Sequence, residues 1–374
     1  MVLISIFITI AYLILIGSFV FGFDKVPVFK LKNIEAKTTF SVIIPFRNEV
    51  ENLSNLMTSI ASLEYPNHLY EIIFVDDESD DDSVEIIKKG FIHSPINISF
   101  IKNIRTSNSP KKDAITTAIK HAKNKWIVTT DADCKLPKYW LDSFDEFIQT
   151  NQSKCVIAPV IFADERSFLN RFQILDMLSL QGATIGAFGI KNPFLCNGAN
   201  FGYEKELFEA VNGFEGNTNT ASGDDIFLLE KAVKMYPKNV KYLKCERATV
   251  TTKSQPNWNA LKEQRVRWVA KTSTYNNTFG KLVGLIVLLM NALIIVLLIL
   301  STIDKFSPKS FIYILIIKFS IDFLLIHKSA VFFNKKHVLR TYLFAFLIYP
   351  LFSVYIAFIA AFKGYKWKGR EFKK

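Results

Sequence analysis

Three acidic pairs are the residues of this chain best suited to polar chemistry. Asp76-Asp77 opens the run DDESDDD, Asp131 and Asp133 flank a single alanine, and Asp224-Asp225 follows Ser222-Gly223. Carboxylates gathered in one crevice repel each other unless a cation or hydrogen-bond donors stand between them. Hard oxygen ligands favour Mg2+ or Mn2+, and Mg2+ commonly takes one or two carboxylates and completes its shell with substrate phosphates. Taken alone, either of the first two reads rather as a solvated cap at a helix start. There is no Walker sequence and no G-x-G-x-x-G, so a diphosphate would be neutralised by metal and basic side chains. Lys111 and Lys112, ahead of a helical stretch, offer such a cation or else form a surface lysine pair. In the third acidic pair Ser222 or Asp224 suits a helix cap, and chemistry needs only one of the two carboxylates to face the crevice.

A fourth feature is Gln264-Arg265-Val266-Arg267-Trp268, in the helix expected after Pro256. Gln264, Arg267 and Trp268 are i, i+3 and i+4, so they share one helical face. A guanidinium pairs with a diphosphate through parallel donors, and an indole face stacks on a sugar ring. Trp258 and Trp268 equally suit an amphipathic helix at a membrane interface.

These residues need elements to position them. FSVIIP (40–45) and EIIFV (71–75) are β-branched runs that predict buried strands, and Ile98–Ile101 and Trp126–Thr130 continue the series. Helical spacing falls between them, at Glu51–Leu63, Ser83–Lys89 and Asp113–Ala122. Strand–helix alternation predicts an α/β domain on a parallel sheet with helices on both faces. Ligands bind such sheets beyond the C-terminal strand ends. Asp76-Asp77 and Asp131–Asp133 follow two strands directly, so both arrive at that edge.

The 374 residues are half hydrophobic, and the excess is concentrated at the two ends. Val2–Phe23 carries no charge and is long enough to span a bilayer, for which about 20 apolar residues suffice. Its apolar run is too long for a cleaved signal core, and no basic residue precedes it, so an uncleaved anchor is expected. Lys25, Lys30, Lys32 and Lys37 follow it and place the next domain in the cytoplasm by the positive-inside rule. Leu282–Ile303, Phe311–Phe333 and Tyr342–Phe362 are three further apolar stretches. The expected plan is an anchor over 1–24, a cytosolic domain over 38–274 ending in an interfacial helix, a transmembrane region over 280–363, and a basic tail over 364–374. With three C-terminal spans that tail would lie outside, against the charge rule, which makes 311–333 the segment suspected of not crossing fully. It holds Lys318 and Asp322, spaced i, i+4 to pair within a helix.

The net charge of +12 is read as lysine facing anionic lipid rather than nucleic acid, because no aromatics interleave with arginines. Cys134, Cys155, Cys196 and Cys245 have no metal-ligand spacing and read as reduced thiols in or near a core. The histidines show no ligand spacing either.

Together these motifs resemble glycosyltransferase family 2, the inverting, membrane-bound GT-A enzymes, over about 40–274. SVIIPFRNEVENL is similar to the family's opening strand and helix, and EIIFVDDESDD to its first aspartate motif. SPKKDAITTAIKHA resembles its lysine-containing helix, TTDADC its DxD, and CNGANFGYEKELFEAVNGFEG the segment before its base. SGDD stands where the family has TED, and QRVRW matches Q-x-x-R-W. The resemblance implies a Rossmann-like nucleotide-sugar domain, with Asp77 on the nucleotide base and Asp76 beside it. It implies Asp131 toward the ribose, Asp133 on Mg2+ or Mn2+, and Lys111 on the donor nucleotide. Asp225 becomes the general base, Gln264 and Arg267 grip the diphosphate, and Trp268 meets the acceptor. Asp224 replaces the usual glutamate with a shorter reach, and is placed with the acceptor-binding residues. The implied donor is a nucleotide-sugar, UDP-linked by the family's habit, and the implied acceptor a lipid or glycan at the cell membrane.

Two subgroups share these motifs and terminal spans. Processive cellulose, chitin and hyaluronan synthases are one, and ceramide-glucosyltransferase and carotenoid-type enzymes the other. The short chain and few spans favour single transfer, with a polymer such as poly-N-acetylglucosamine still open. A non-catalytic scaffold on a degenerate fold is the rival class, and the joint survival of Asp77, Asp133, Asp225, Arg267 and Trp268 speaks against it.

Overall fold

The structure, a computed structural model, describes residues 1–218, 223–271 and 276–362, together with the strands Tyr365–Trp367 and Arg370–Phe372. Ser222 and parts of the basic tail lie outside the described residues. The chain divides into two compact units. One comprises Pro27–Ala163 and Leu195–Lys253; the other comprises Met1–Val26, Asp164–Phe194 and Ser254–Lys374. Residues 164–194 and 254–274 thus leave the run expected as one domain over 38–274.

The first unit is built on ten short strands: β1 (Phe40–Phe46), β2 (Tyr70–Asp76), β3 (Asn97–Lys102), β4 (Trp126–Thr129), β5 (Cys134–Lys135), β6 (Cys155–Ile157), β7 (Val160–Phe162), β8 (Phe201–Glu204), β9 (Val240–Tyr242) and β10 (Val250–Thr252). Seven form one sheet in the order β3-β2-β1-β4-β8-β6-β9. Phe40, Val42 and Ile44 pack with Leu53, Leu56, Ile60 and Trp126 on one side, and Ile43 and Ile73 between them are equally buried. Both faces of the sheet are therefore covered, which is why these strands read as continuous apolar runs.

The sheet corrects the all-parallel expectation. β3, β2, β1 and β4 are parallel, but β8 runs antiparallel to both β4 and β6. Its first residue, Phe201, pairs with Thr129 at the end of β4. An antiparallel strand starts where its neighbours stop, so the loop before β8 arrives at the edge where the acidic loops leave. A smaller sheet, β5-β10-β7, holds the chain just after Asp133.

The second unit is helical. Val2–Lys25, Thr278–Thr302, Pro308–Phe332 and Lys336–Phe362 are long and apolar enough to cross a membrane. The suspect segment is a continuous helix of 25 residues. Inside it the expected pair forms: Lys318 Nζ lies 2.6 Å from Asp322 Oδ2, and Tyr12 from the first helix donates to Asp322 Oδ1 at 2.6 Å. Lys328 reaches Asp24 at 2.7 Å.

A helix absent from the sequence reading, Phe168–Gly189, packs against the first helix. A Cβ on Gly22, Gly186 or Gly189 would overlap backbone atoms of the facing helix, so only glycine admits this approach.

Candidate active site

Two polar clusters meet at the start of the helix Pro110–His121, at the C-terminal edge of the parallel strands. The first gathers around Asp77, the residue after β2. Its buried Oδ1 accepts hydrogen bonds from Asn103 Nδ2 at 2.7 Å and Arg105 Nη1 at 3.2 Å. Asn103 also donates to the carbonyl of Pro110, and Arg105 lies 3.6 Å from Asp113. Asp113 accepts from the backbone and hydroxyls of Thr106 and Ser107, pinning the loop that presents Arg105. Asp76 does something different: its Oδ1 takes the Ser79 N–H at 2.9 Å and shapes the turn.

The second cluster surrounds Lys111. Its Nζ sits 2.7 Å from Asp131 and 3.3 Å from Asp224. Burial alone would depress this ammonium, but Asp131, Asp224 and Asp225 together outweigh burial and raise it above its ordinary value. It stays charged through any working pH. The cation that separates these carboxylates is therefore an ammonium of the chain itself.

Lys112 faces elsewhere. Its Nζ donates to the Asn217 carbonyl at 2.6 Å and lies 4.5 Å from the centre of the Phe227 ring. The pair left open by the sequence thus separates into one site lysine and one core lysine.

Asp224 and Asp225 open the helix Asp224–Met235, whose N-cap is Gly223 at φ 88°, a left-handed conformation suited to glycine. The cap expected from Asp224 is corrected accordingly: it lies in the first helical turn, buried, with Lys111 as an ionic partner. Asp225 is half-buried. Its Oδ2 accepts the Gly198 N–H at 3.1 Å and its Oδ1 the Ile226 N–H at 2.8 Å.

Gly198 is the residue the sequence reading missed. Its carbonyl accepts from Thr129 Oγ1 at 2.7 Å, fixing it to the end of β4. A Cβ there would lie 2.9 Å from Asp224 Oδ2 and 3.3 Å from Lys111 Nζ. The next turn is held by Asn200, which accepts from Trp140 Nε1 and donates to the carbonyls of Pro159 and Ala248.

Asp133 lies on the turn between β4 and β5, one residue beyond Ala132, and both Asp131 and Asp133 are partly exposed. The carboxylate of Asp133, a hard oxygen ligand on a tight turn, fits a divalent ion that takes its other ligands from phosphate and water. Among the described residues no group of three or more His, Cys, Asp and Glu forms a closed cage.

Residues 41–211 match the family model described as glycosyl transferase family 2. This segment belongs to that family. The Staphylococcus aureus poly(ribitol-phosphate) beta-N-acetylglucosaminyltransferase TarS is 27% identical over 118 residues, covering 32% of this chain and 20% of that protein. The undecaprenyl-phosphate 4-deoxy-4-formamido-L-arabinose transferase of Pseudomonas savastanoi is 34% identical over 98 residues, covering 26% and 28%. The chain thus spans about a fifth to a quarter of the length of these relatives. A solved mannosyltransferase from Pyrobaculum calidifontis, in complex with GDP-Man and Mn2+, superposes with a TM-score of 0.58 at 15% identity over 96% of both chains. That likeness shows a shared fold, the GT-A fold.

Of the remaining candidates, Gln264, Arg267 and Trp268 belong to the helical unit and lie beyond the residues 41–211 that the family model matches. They lie on the helix Trp258–Ala270, each half-buried, while Arg265 and Val266 between them are buried. Trp258 packs against Phe172 in a tilted arrangement and against Phe352 edge-on. Cys134, Cys155 and Cys245 are buried free thiols, and burial followed by Asp133 and Asp131 pushes the Cys134 thiol well up, which disfavours the thiolate.

Proposed function

We propose that this protein is a membrane-bound inverting glycosyltransferase, moving a sugar from a nucleotide-sugar to a lipid or glycan acceptor. The observation that carries the reading is the convergence of Lys111, Asp131 and Asp224 on one ionic contact, with Asp225 held beside it by Gly198. In this reading Asp225 deprotonates the acceptor hydroxyl, and Asp77 with its Asn103 and Arg105 neighbours addresses the nucleotide base, with Asp76 shaping their turn. Asp131 faces the ribose side. Asp133 would hold Mg2+ or Mn2+, which supplies positive charge to the leaving diphosphate when bound. Inversion follows because the acceptor oxygen, its proton passing to Asp225, bonds to the anomeric carbon from the side opposite the nucleoside diphosphate, whose bond to that carbon breaks. Lys111 keeps Asp131 and Asp224 close without fully neutralising them. Gln264 and Arg267 are assigned to the diphosphate and Trp268 to the acceptor on the strength of the Q-x-x-R-W resemblance.

Names among the relatives include both a lipid phosphate and a poly(ribitol-phosphate), which supports keeping both acceptor kinds. The solved neighbour holds a nucleotide-sugar with Mn2+, which supports a divalent ion here. UDP is the preferred donor nucleotide. The family 2 domain is assigned to the cytoplasmic face of the cell membrane from Lys25, Lys30, Lys32 and Lys37. The test is a screen of UDP- and GDP-sugars with Mn2+ or Mg2+ and extracted membrane lipid, read by product mass. One added hexose supports single transfer, a ladder of masses supports polymerisation, and no transfer with any donor rejects the proposal.

A further inference from the structure

The Q-x-x-R-W motif leaves its second and third positions open, yet in this chain they are the buried ones. Arg265 is 6% exposed, and its guanidinium makes three directed contacts within the helical unit. Nε donates to Asp176 Oδ2 at 2.7 Å, and Asp176 comes from the middle of the helix Phe168–Gly189. Nη1 donates to the side-chain oxygen of Gln264. The guanidinium carbon Cζ lies over the Trp268 ring, 4.2 Å from its centre. One buried cation thus touches two of the three residues that the motif names.

We infer that Arg265, fixed by Asp176, is a positioning residue that sets the side-chain orientation of Gln264 and Trp268. The inference rests on the transferase reading for its catalytic consequence, but not for its geometry. A planar fork suits this task. It offers donors at fixed angles and a flat face that stacks on indole, whereas an ammonium satisfies Asp176 as a point charge and does neither. The anchor is firm because Val266, next in sequence, packs against Ile356 and Ala360, and Phe172 packs against Trp258 and Phe352. The helix is therefore held on both sides of Arg265, and the rotamers of Gln264 and Trp268 are the freedom left to fix.

The test compares Arg265→Lys and Asp176→Asn with the unchanged full chain in lipid nanodiscs. The first readout is Trp268 emission, isolated by subtracting spectra of the same variants carrying Trp268→Phe. Arg265→Lys keeps the charge pair, so the fold is expected to remain, while Trp268 emission shifts and donor turnover falls about ten-fold with the donor KM within two-fold. Asp176→Asn is expected to shift the same emission component in the same sense. An Arg265→Lys protein with unchanged emission and full turnover reduces Arg265 to an ordinary structural ion pair and overturns the inference. If the unchanged chain turns over no nucleotide-sugar, the transferase reading fails, while the emission readout still decides whether Arg265 orients Trp268.

Discussion

At the edge of the sheet one ammonium, Lys111, answers three carboxylates, Asp131, Asp224 and Asp225. In the helical unit Lys318 answers Asp322, Arg265 answers Asp176 and Lys328 answers Asp24, one for one. The two regions use the same side-chain types for different ends. A balanced pair serves packing, whereas Lys111 gathers carboxylates from separate stretches of the chain to one point. The gathering of carboxylates from several elements, rather than burial, separates a site from a strut. Lys318 is in fact more buried than Lys111.

Several substitutions break or sharpen this contrast. Asp225→Asn removes the assigned base, so acceptor-dependent release of nucleoside diphosphate should fall about a thousand-fold, within the range for general bases. Its thermal midpoint should stay close to that of the unchanged chain. Lys318→Leu leaves Asp322 uncompensated and should cost about 3 kcal/mol of stability, largely restored by adding Asp322→Leu. The matching pair of changes at the sheet edge, Lys111→Met with Asp131→Asn, should not restore turnover. If it does, the contrast between the regions is lost.

Gly198→Ala comes next. The new methyl group would force Asp224 and Lys111 apart, and misplacement of this order lowers turnover about a hundred-fold. A steady-state assay on the folded variant measures it.

The smallest effect concerns Asp142, which burial, followed by Glu146 and Asp145, pushes up to about 6 against the pull of Arg247. A carboxyl raised by folding holds its proton more tightly in the native state, so its stabilising contribution is complete at low pH and is lost as pH climbs through about 6. Asp142→Asn should therefore raise the thermal midpoint at pH 8 and leave it nearly unchanged at pH 3, below the ordinary aspartate value. Two pKa units correspond to about 3 kcal/mol for a sheltered group, reduced to about 1 here by solvent screening.

Much of this was legible in the residues themselves. The runs FSVIIP and EIIFV became β1 and β2, with helices at Val50–Ala61 and Ser83–Gly90 after them. The Lys318–Asp322 pair formed as its spacing implied. What the sequence hid depends on partners far along the chain. Gly198 contacts Asp225 across 27 residues, and Arg265 meets Asp176 across 89. The Phe168–Gly189 helix lacks a one-sided apolar stripe, because it buries residues around most of its circumference, including Gln173, Asp176 and Gln181. Antiparallel β8 was equally hidden, since strand direction is set by the connections between elements and not by the pattern within one.

The glycine contacts of the first helix bear on how this protein can be handled. Trimming residues 1–26 to obtain a water-soluble version would strip the backbone that Gly186 and Gly189 lie against and remove the hydroxyl that Tyr12 gives Asp322. The remainder would present a bare glycine-lined furrow and a carboxylate short of one donor. Purification should keep the full chain in detergent from the start.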